Sequence, residues 1–123
     1  MKLNFAILLF LLLTNCKVPT AKTPLPLAGK TIEYRYGESV YHVTFDSDTT
    51  LLWEAIAGDE TGAKENETYV AEWIDQDKLF ITWGEANGIG VSQVLDFSAG
   101  EVYNHLLRGR AASLGNGKIR ILE

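Results

Sequence analysis

The chain has 123 residues, and its 16 acidic side chains outnumber 11 basic ones to give a net charge of −5. That length allows one domain, and that sign, with no basic cluster to offset it, makes nucleic acid a poor partner. The lone cysteine, Cys16, permits no intrachain disulfide, and without a CxxC spacing the chain carries no cysteine-based metal or redox motif.

The first predicted element is a targeting segment. Lys2 precedes FAILLFLLL, Phe5 to Leu13, a run of nine apolar residues. A membrane-spanning helix needs about 20, so a positive start and a short apolar run read as a secretory signal. Cys16 follows at once in LLTNC, which resembles a bacterial lipobox; Leu13 and Thr14 fit it, and Asn15 stands where Gly, Ala or Ser is usual. The expected organisation is a signal peptide over 1–15, a lipidated Cys16 with a flexible tether over 16–28, and a barrel domain over 29–123. Acyl chains on Cys16 would hold the protein to a membrane of the bacterial cell envelope without a spanning helix. All three prolines, Pro19, Pro24 and Pro26, fall in the tether, where they favour extended chain.

From residue 30 the punctuation is that of strands. The runs 30–36, 40–46, 49–56, 67–74, 78–85, 90–97, 101–107 and 117–122 are rich in Val, Ile, Tyr, Trp and Thr and are bounded by Gly, Asp or Asn. The longest polar loop lies between the third and fourth runs, in AGDETGAKEN, and residues 108–116 allow a short helical turn. No run holds a helical period. The expectation is an all-β fold: an eight-stranded antiparallel barrel with up-and-down meander topology, since closure removes exposed strand edges. A β-sandwich is the alternative.

The period of two then assigns faces. Ile32, Tyr34 and Tyr36 share one face; so do Tyr69, Ala71 and Trp73; so do Leu79, Ile81, Trp83 and Glu85; so do Val91, Gln93, Leu95 and Phe97. If these faces point inward, the interior holds an aromatic wall, phenols, one amide and one carboxylate, the composition of a small-molecule cavity. The predicted ligand contacts are Tyr34, Tyr36, Tyr69, Trp73, Trp83 and Gln93. Glu85, desolvated beside Trp83, is the candidate acid. A packed interior, with Glu85 turned outward by a bulge, is the competing reading. His42 and His105 stand singly on different strands and fit wall positions rather than metal ligation. The acidic loop lacks the full EF-hand spacing and reads as solvated. No metal and no cofactor is expected.

The stretches AGKTIEYRYGESVYHVTFDSDTTLLWEAIAG and LFITWGEANGIGVSQVLDFSAGEVY resemble the lipocalin-like (calycin) barrel of MoaF-like proteins and, more distantly, of phenolic acid decarboxylases. The likeness rests on the G-K-x-[IF]-x-Y-x-Y opening and the W-x-E-x-x-G-x-x-V stretch, and covers residues 28 to 107. It implies an eight-stranded barrel. From the decarboxylases it implies that Tyr34 and Tyr36 hold a hydroxycinnamic acid and that Glu85 donates a proton. Their substrate-binding arginine has no counterpart near Ala63 and Lys64, so the reading leans toward ligand binding rather than catalysis. An interaction module with a packed barrel is the third reading. A cation reaching the cavity, Arg35 or Lys64, would favour the enzyme.

Overall fold

The computed structural model describes residues 25–122; the expected signal peptide, the expected lipidation at Cys16 and most of the expected tether lie outside them. Eight antiparallel strands follow one another: β1 (Thr31–Tyr36), β2 (Ser39–Phe45), β3 (Thr50–Ala57), β4 (Lys64–Trp73), β5 (Lys78–Gly84), β6 (Ile89–Asp96), β7 (Glu101–Arg108) and β8 (Ala111–Leu122). Each pairs with its sequence neighbours, and β8 returns to β1, closing the barrel in up-and-down order. The sandwich alternative is thereby excluded.

Six strands match the predicted runs closely, and the starts of the other two need correction. Residues 108–116 hold no helical turn: Gly109 and Arg110 make a tight turn and β8 begins at Ala111. Strand β4 starts at Lys64, three residues inside the expected polar loop. In both places the inward positions lack the apolar residues that mark a strand. On β8 they are Ala111, Ser113, Gly115 and Gly117, set by pairing with Arg108, Leu106, Asn104 and Val102. On β4 they are Glu65 and Glu67, opposite Trp53 and Leu51.

The two ends of the barrel differ. One end carries the Leu27 segment and the β2–β3, β4–β5 and β6–β7 turns. It is filled by Ile32, Phe45, Leu51, Leu79, Ile81, Leu95 and Val102, each no more than 1% exposed. Leu27 closes this end, held by Gly29 N–H donating to the Phe45 carbonyl and Lys30 N–H to that of Leu27. Tyr69 belongs here too, edge-on to Phe45 at 5.4 Å with its hydroxyl donating to the Ser47 carbonyl at 2.7 Å.

Strand β4 is the pivot between the ends. Its first half, residues 64–68, pairs with β3, and its second half, 69–73, with β5. Extending the Tyr69–Trp83 register past the top of β5 brings Glu67 opposite Glu85. Shear in a small barrel thus gathers acids that lie far apart in sequence.

On the outer wall, neighbouring strands align Arg120, Glu33, His42, Glu54 and Lys64 in one row. Glu33 is covered by its partners: Arg35 Nε donates at 2.7 Å, Arg120 Nε at 2.8 Å, and His42 Nε2 lies 3.2 Å away. These guanidinium contacts, Arg120 first, hold its carboxyl down to about 2.

Candidate functional site

At the end opposite Leu27 the interior stays open. A cavity of about 500 Å³ opens between the β1–β2, β3–β4, β5–β6 and β7–β8 turns. Small residues on β8 make the room. A Cβ added to Gly117 would lie 2.8 Å from Tyr36 Cδ1 and closer still to the Arg35 carbonyl oxygen, so only glycine lets the Tyr36 ring lie against this strand.

One wall is an aromatic arc across three strands. Tyr34 stacks on Tyr36 at 6.4 Å, Tyr36 meets Tyr41 edge-on at 6.3 Å, and Tyr41 meets Trp53 edge-on at 6.2 Å. Burial pushes the phenol pKa of Tyr34 and Tyr36 upward, and that of Tyr41 to about 12, with Glu60 adding to the shift. These phenols therefore stay protonated and serve as hydrogen-bonding groups. The facing wall is formed by Trp83 on β5, Val91 and Gln93 on β6, and Asn104 and Leu106 on β7, with Arg108 nearer the rim.

Within these walls three buried polar atoms have no protein partner: Tyr34 Oη, Trp83 Nε1 and Gln93 Oε1. The Gln93 amide nitrogen is fully used, donating to Asn104 Oδ1 at 3.0 Å and to Tyr36 Oη at 3.3 Å. Its orientation is thus fixed with the carbonyl oxygen left over. Such groups are uncommon in folded proteins and ask for a bound partner.

The rim is acidic. Carboxylate oxygens of Glu65, Glu67 and Glu85 lie within 4.8 Å of one another. Glu67 is buried and accepts a bond from Trp53 Nε1 at 3.3 Å, and Glu60 accepts one from Tyr41 Oη at 2.5 Å. Glu85 sits in the β5–β6 hairpin, where its N–H donates to the Ile89 carbonyl and its carbonyl accepts from Gly88. Burial, then repulsion from Glu67, Glu65 and Glu60, raises the Glu85 pKa, against the pull of Arg108. Burial also raises Glu67, opposed by the indole bond. Three oxygens so close have the spacing to hold a cation, a grouping the sequence reading did not expect.

Of the residues named from sequence, Tyr34, Tyr36, Trp83, Glu85 and Gln93 line this cavity. Tyr69 and Trp73, the other two expected ligand contacts, are not among its lining residues. Both face inward, but at the closed end, where Trp73 packs on Phe97 at 5.7 Å. Period two gives the face of a residue and not its height in the barrel. Arg35 is on the outer wall bonded to Glu33, and Lys64 faces outward opposite Glu54. The cation that reaches the cavity is Arg108. It escaped the sequence reading, as did Tyr41, Trp53, Glu60, Glu65 and Asn104. Period two within 40–46, 49–56 and 101–107 would have found Tyr41, Trp53 and Asn104.

A family model described as MoaF-like matches residues 28–117. Among solved structures, the chain is similar to a Burkholderia vietnamiensis protein provisionally called a beta-lactamase. The two share 25% sequence identity with a TM-score of 0.73, over 82% of this chain and 100% of that one. No curated protein matches the sequence. The chain belongs to the MoaF-like family.

Proposed function

We propose that this MoaF-like barrel binds a small aromatic or amphipathic molecule in its open end, and that acyl chains on Cys16 hold it to a membrane of the bacterial cell envelope. The observation that carries the binding reading is the convergence of Tyr34 Oη, Trp83 Nε1 and Gln93 Oε1, all unpartnered, on one aromatic-walled cavity. A buried polar group left unpaired costs about 1–3 kcal/mol. A ligand that accepts from Trp83 and donates to Gln93 recovers that cost while its apolar body covers the aromatic arc.

The anchor reading rests on the LLTNC junction and the proline-containing segment after it. The described chain enters the barrel at the closed end, beside Leu27 and opposite the mouth. Mass spectrometry of the envelope fraction tests this part: a modified Cys16 at the mature N-terminus supports it, and a soluble protein with unmodified Cys16 overturns it.

For the cavity, the test is titration of the purified protein with 2-phenylethanol, followed by tryptophan fluorescence. Trp53 and Trp83 line the cavity and Trp73 does not, so a saturable change reduced in Trp83→Phe and in Trp53→Phe but kept in Trp73→Phe supports binding there.

A second reading has one observation in its favour. Arg108 supplies a cation to the cavity, and Glu85, with its raised pKa, suits proton donation. An acid–base lyase acting on a hydroxycinnamic acid would use both, with Tyr34 and Tyr36 holding the phenol end. Against it stand Glu60, Glu65 and Glu67 around the same mouth, which repel a carboxylate substrate. Incubation with p-coumaric acid distinguishes them, since the enzyme reading requires release of carbon dioxide and a vinylphenol. For β-lactam hydrolysis, the one serine among the lining residues is Ser39, and neither a lysine nor a histidine lines the cavity to take its proton.

A further inference from the structure

The mouth of this cavity is acidic. Three carboxylates, Glu65, Glu67 and Glu85, come together there from two strands, and Glu60 stands beside them on Tyr41. Among the lining residues one guanidinium, that of Arg108, stands against the carboxylates of Glu60, Glu65 and Glu85. Next to them lie the rings of Tyr41 and Trp53, each fixed by a hydrogen bond from its edge to one of the acids. Below lie three polar atoms more than nine-tenths buried and without partners, on Tyr34, Trp83 and Gln93.

We infer that the cavity selects an organic amine, with its ammonium held by Glu65, Glu67 and Glu85 and its aromatic or apolar body lying inward along the Tyr34–Trp53 arc. The inference rests on the reading of the cavity as a ligand site and adds the charge class of the ligand. An ammonium nitrogen making bonds of about 2.8 Å along tetrahedral directions reaches acceptors roughly 4.6 Å apart. The carboxylate oxygens lie within 4.8 Å of one another, so one nitrogen serves all three. A bare divalent cation also fits such a triangle of oxygens. It would leave the aromatic cavity below it unfilled, which an organic amine does not.

The test uses the purified protein and three probes that share a phenylethyl body but differ in the head group: phenethylamine, 2-phenylethanol and 3-phenylpropionate. Calcium chloride alone is the fourth arm, with affinities read by calorimetry at neutral pH and constant ionic strength. The expected order is amine, then alcohol, then acid, with the amine about tenfold or more tighter than the acid. Glu65→Gln and Glu85→Gln should each weaken the amine toward the alcohol and leave the alcohol within about twofold. Arg108→Gln, at an exposed rim position, should tighten the amine and serves if an acid variant fails to fold. Alcohol binding as tight as amine binding overturns the amine assignment and leaves the cavity reading standing. Failure of all three organic probes overturns both. Saturable calcium binding abolished by Glu65→Gln overturns the amine assignment in favour of a metal site.

Discussion

The two ends of this barrel are built from one set of strands and obey opposite rules. At the closed end, inward positions carry Ile, Leu, Val and Phe that are almost completely covered, and the Tyr69 hydroxyl there has a partner. At the open end, the same strands turn inward glycine, tyrosine, tryptophan, glutamine and glutamate, leaving space and unmatched polar atoms. Stability comes from the first arrangement; on the proposed reading the second gives up part of it for recognition.

The carboxylates repeat the contrast. Glu33 lies under Arg35, Arg120 and His42 on the outer wall with its pKa pulled down, whereas Glu67 and Glu85 lie among other acids with theirs pushed up. A buried acid with partners helps the fold; acids gathered without them strain it until something positive arrives.

The largest effect separating the ends is expected from truncation of apolar side chains. Leu95→Ala, at the closed end, should cost about 2–5 kcal/mol, because it opens a cavity in packed surroundings. Leu106→Ala, beside space that already exists, should cost about 1 kcal/mol or less. Chemical denaturation of both variants checks the difference, and equal costs would erase the distinction between the ends.

Next comes Gly117→Ala. The added methyl meets the Tyr36 ring and the Arg35 carbonyl, so a loss of about 1–3 kcal/mol is expected, together with weaker binding of 2-phenylethanol as Tyr36 shifts into the cavity. Gly115→Ala meets no heavy atom within 4 Å and should keep the fold. Paired thermal melts read both.

The smallest effects sharpen the comparison of acids and have opposite signs. Glu33, ordinarily near 4.5 and held at about 2 here, contributes stability that is complete above pH 4.5 and lost as pH falls through about 2. Glu33→Gln should therefore melt below the parent at neutral pH, with the deficit shrinking in acid. Glu85 has a raised pKa, so the native state holds its proton more tightly than the unfolded chain does. Stability then falls as pH rises through the window above 4.5. Glu85→Gln should melt above the parent at neutral pH, with the gain vanishing in acid. Melting temperatures across pH 2.5 to 8 report both, and shifts of the same sign would contradict the contrast.

Much of this fold was legible, because alternating aromatic and β-branched residues between short turns specify strands, and their number favours closure. What could not be read coincides with the open end. The start of β8 is hidden because Ala111, Ser113, Gly115 and Gly117 face inward where a packed barrel would place large apolar residues. The start of β4 is hidden because Glu65 and Glu67 do the same. Local pattern fails where the site demands a residue that packing would reject. Glu85 was readable as the acid two residues beyond Trp83. Its meeting with Glu65 and Glu67 was not, since it depends on shear between β4 and β5 rather than on spacing along either strand. Tyr69 and Trp73 were misplaced for the same reason.

The claim that the open end is a binding site is tested most directly at the Trp83 indole. Its Nε1–H is buried and unpartnered, and its nitrogen–proton resonance is separable from those of Trp53 and Trp73 by substitution of each in turn. On titration with 2-phenylethanol, the Trp83 indole resonance should move progressively to saturation while the methyl signals of Leu79 and Leu95 stay in place. A Trp83 resonance that does not move, while signals from the outer wall do, would contradict the account.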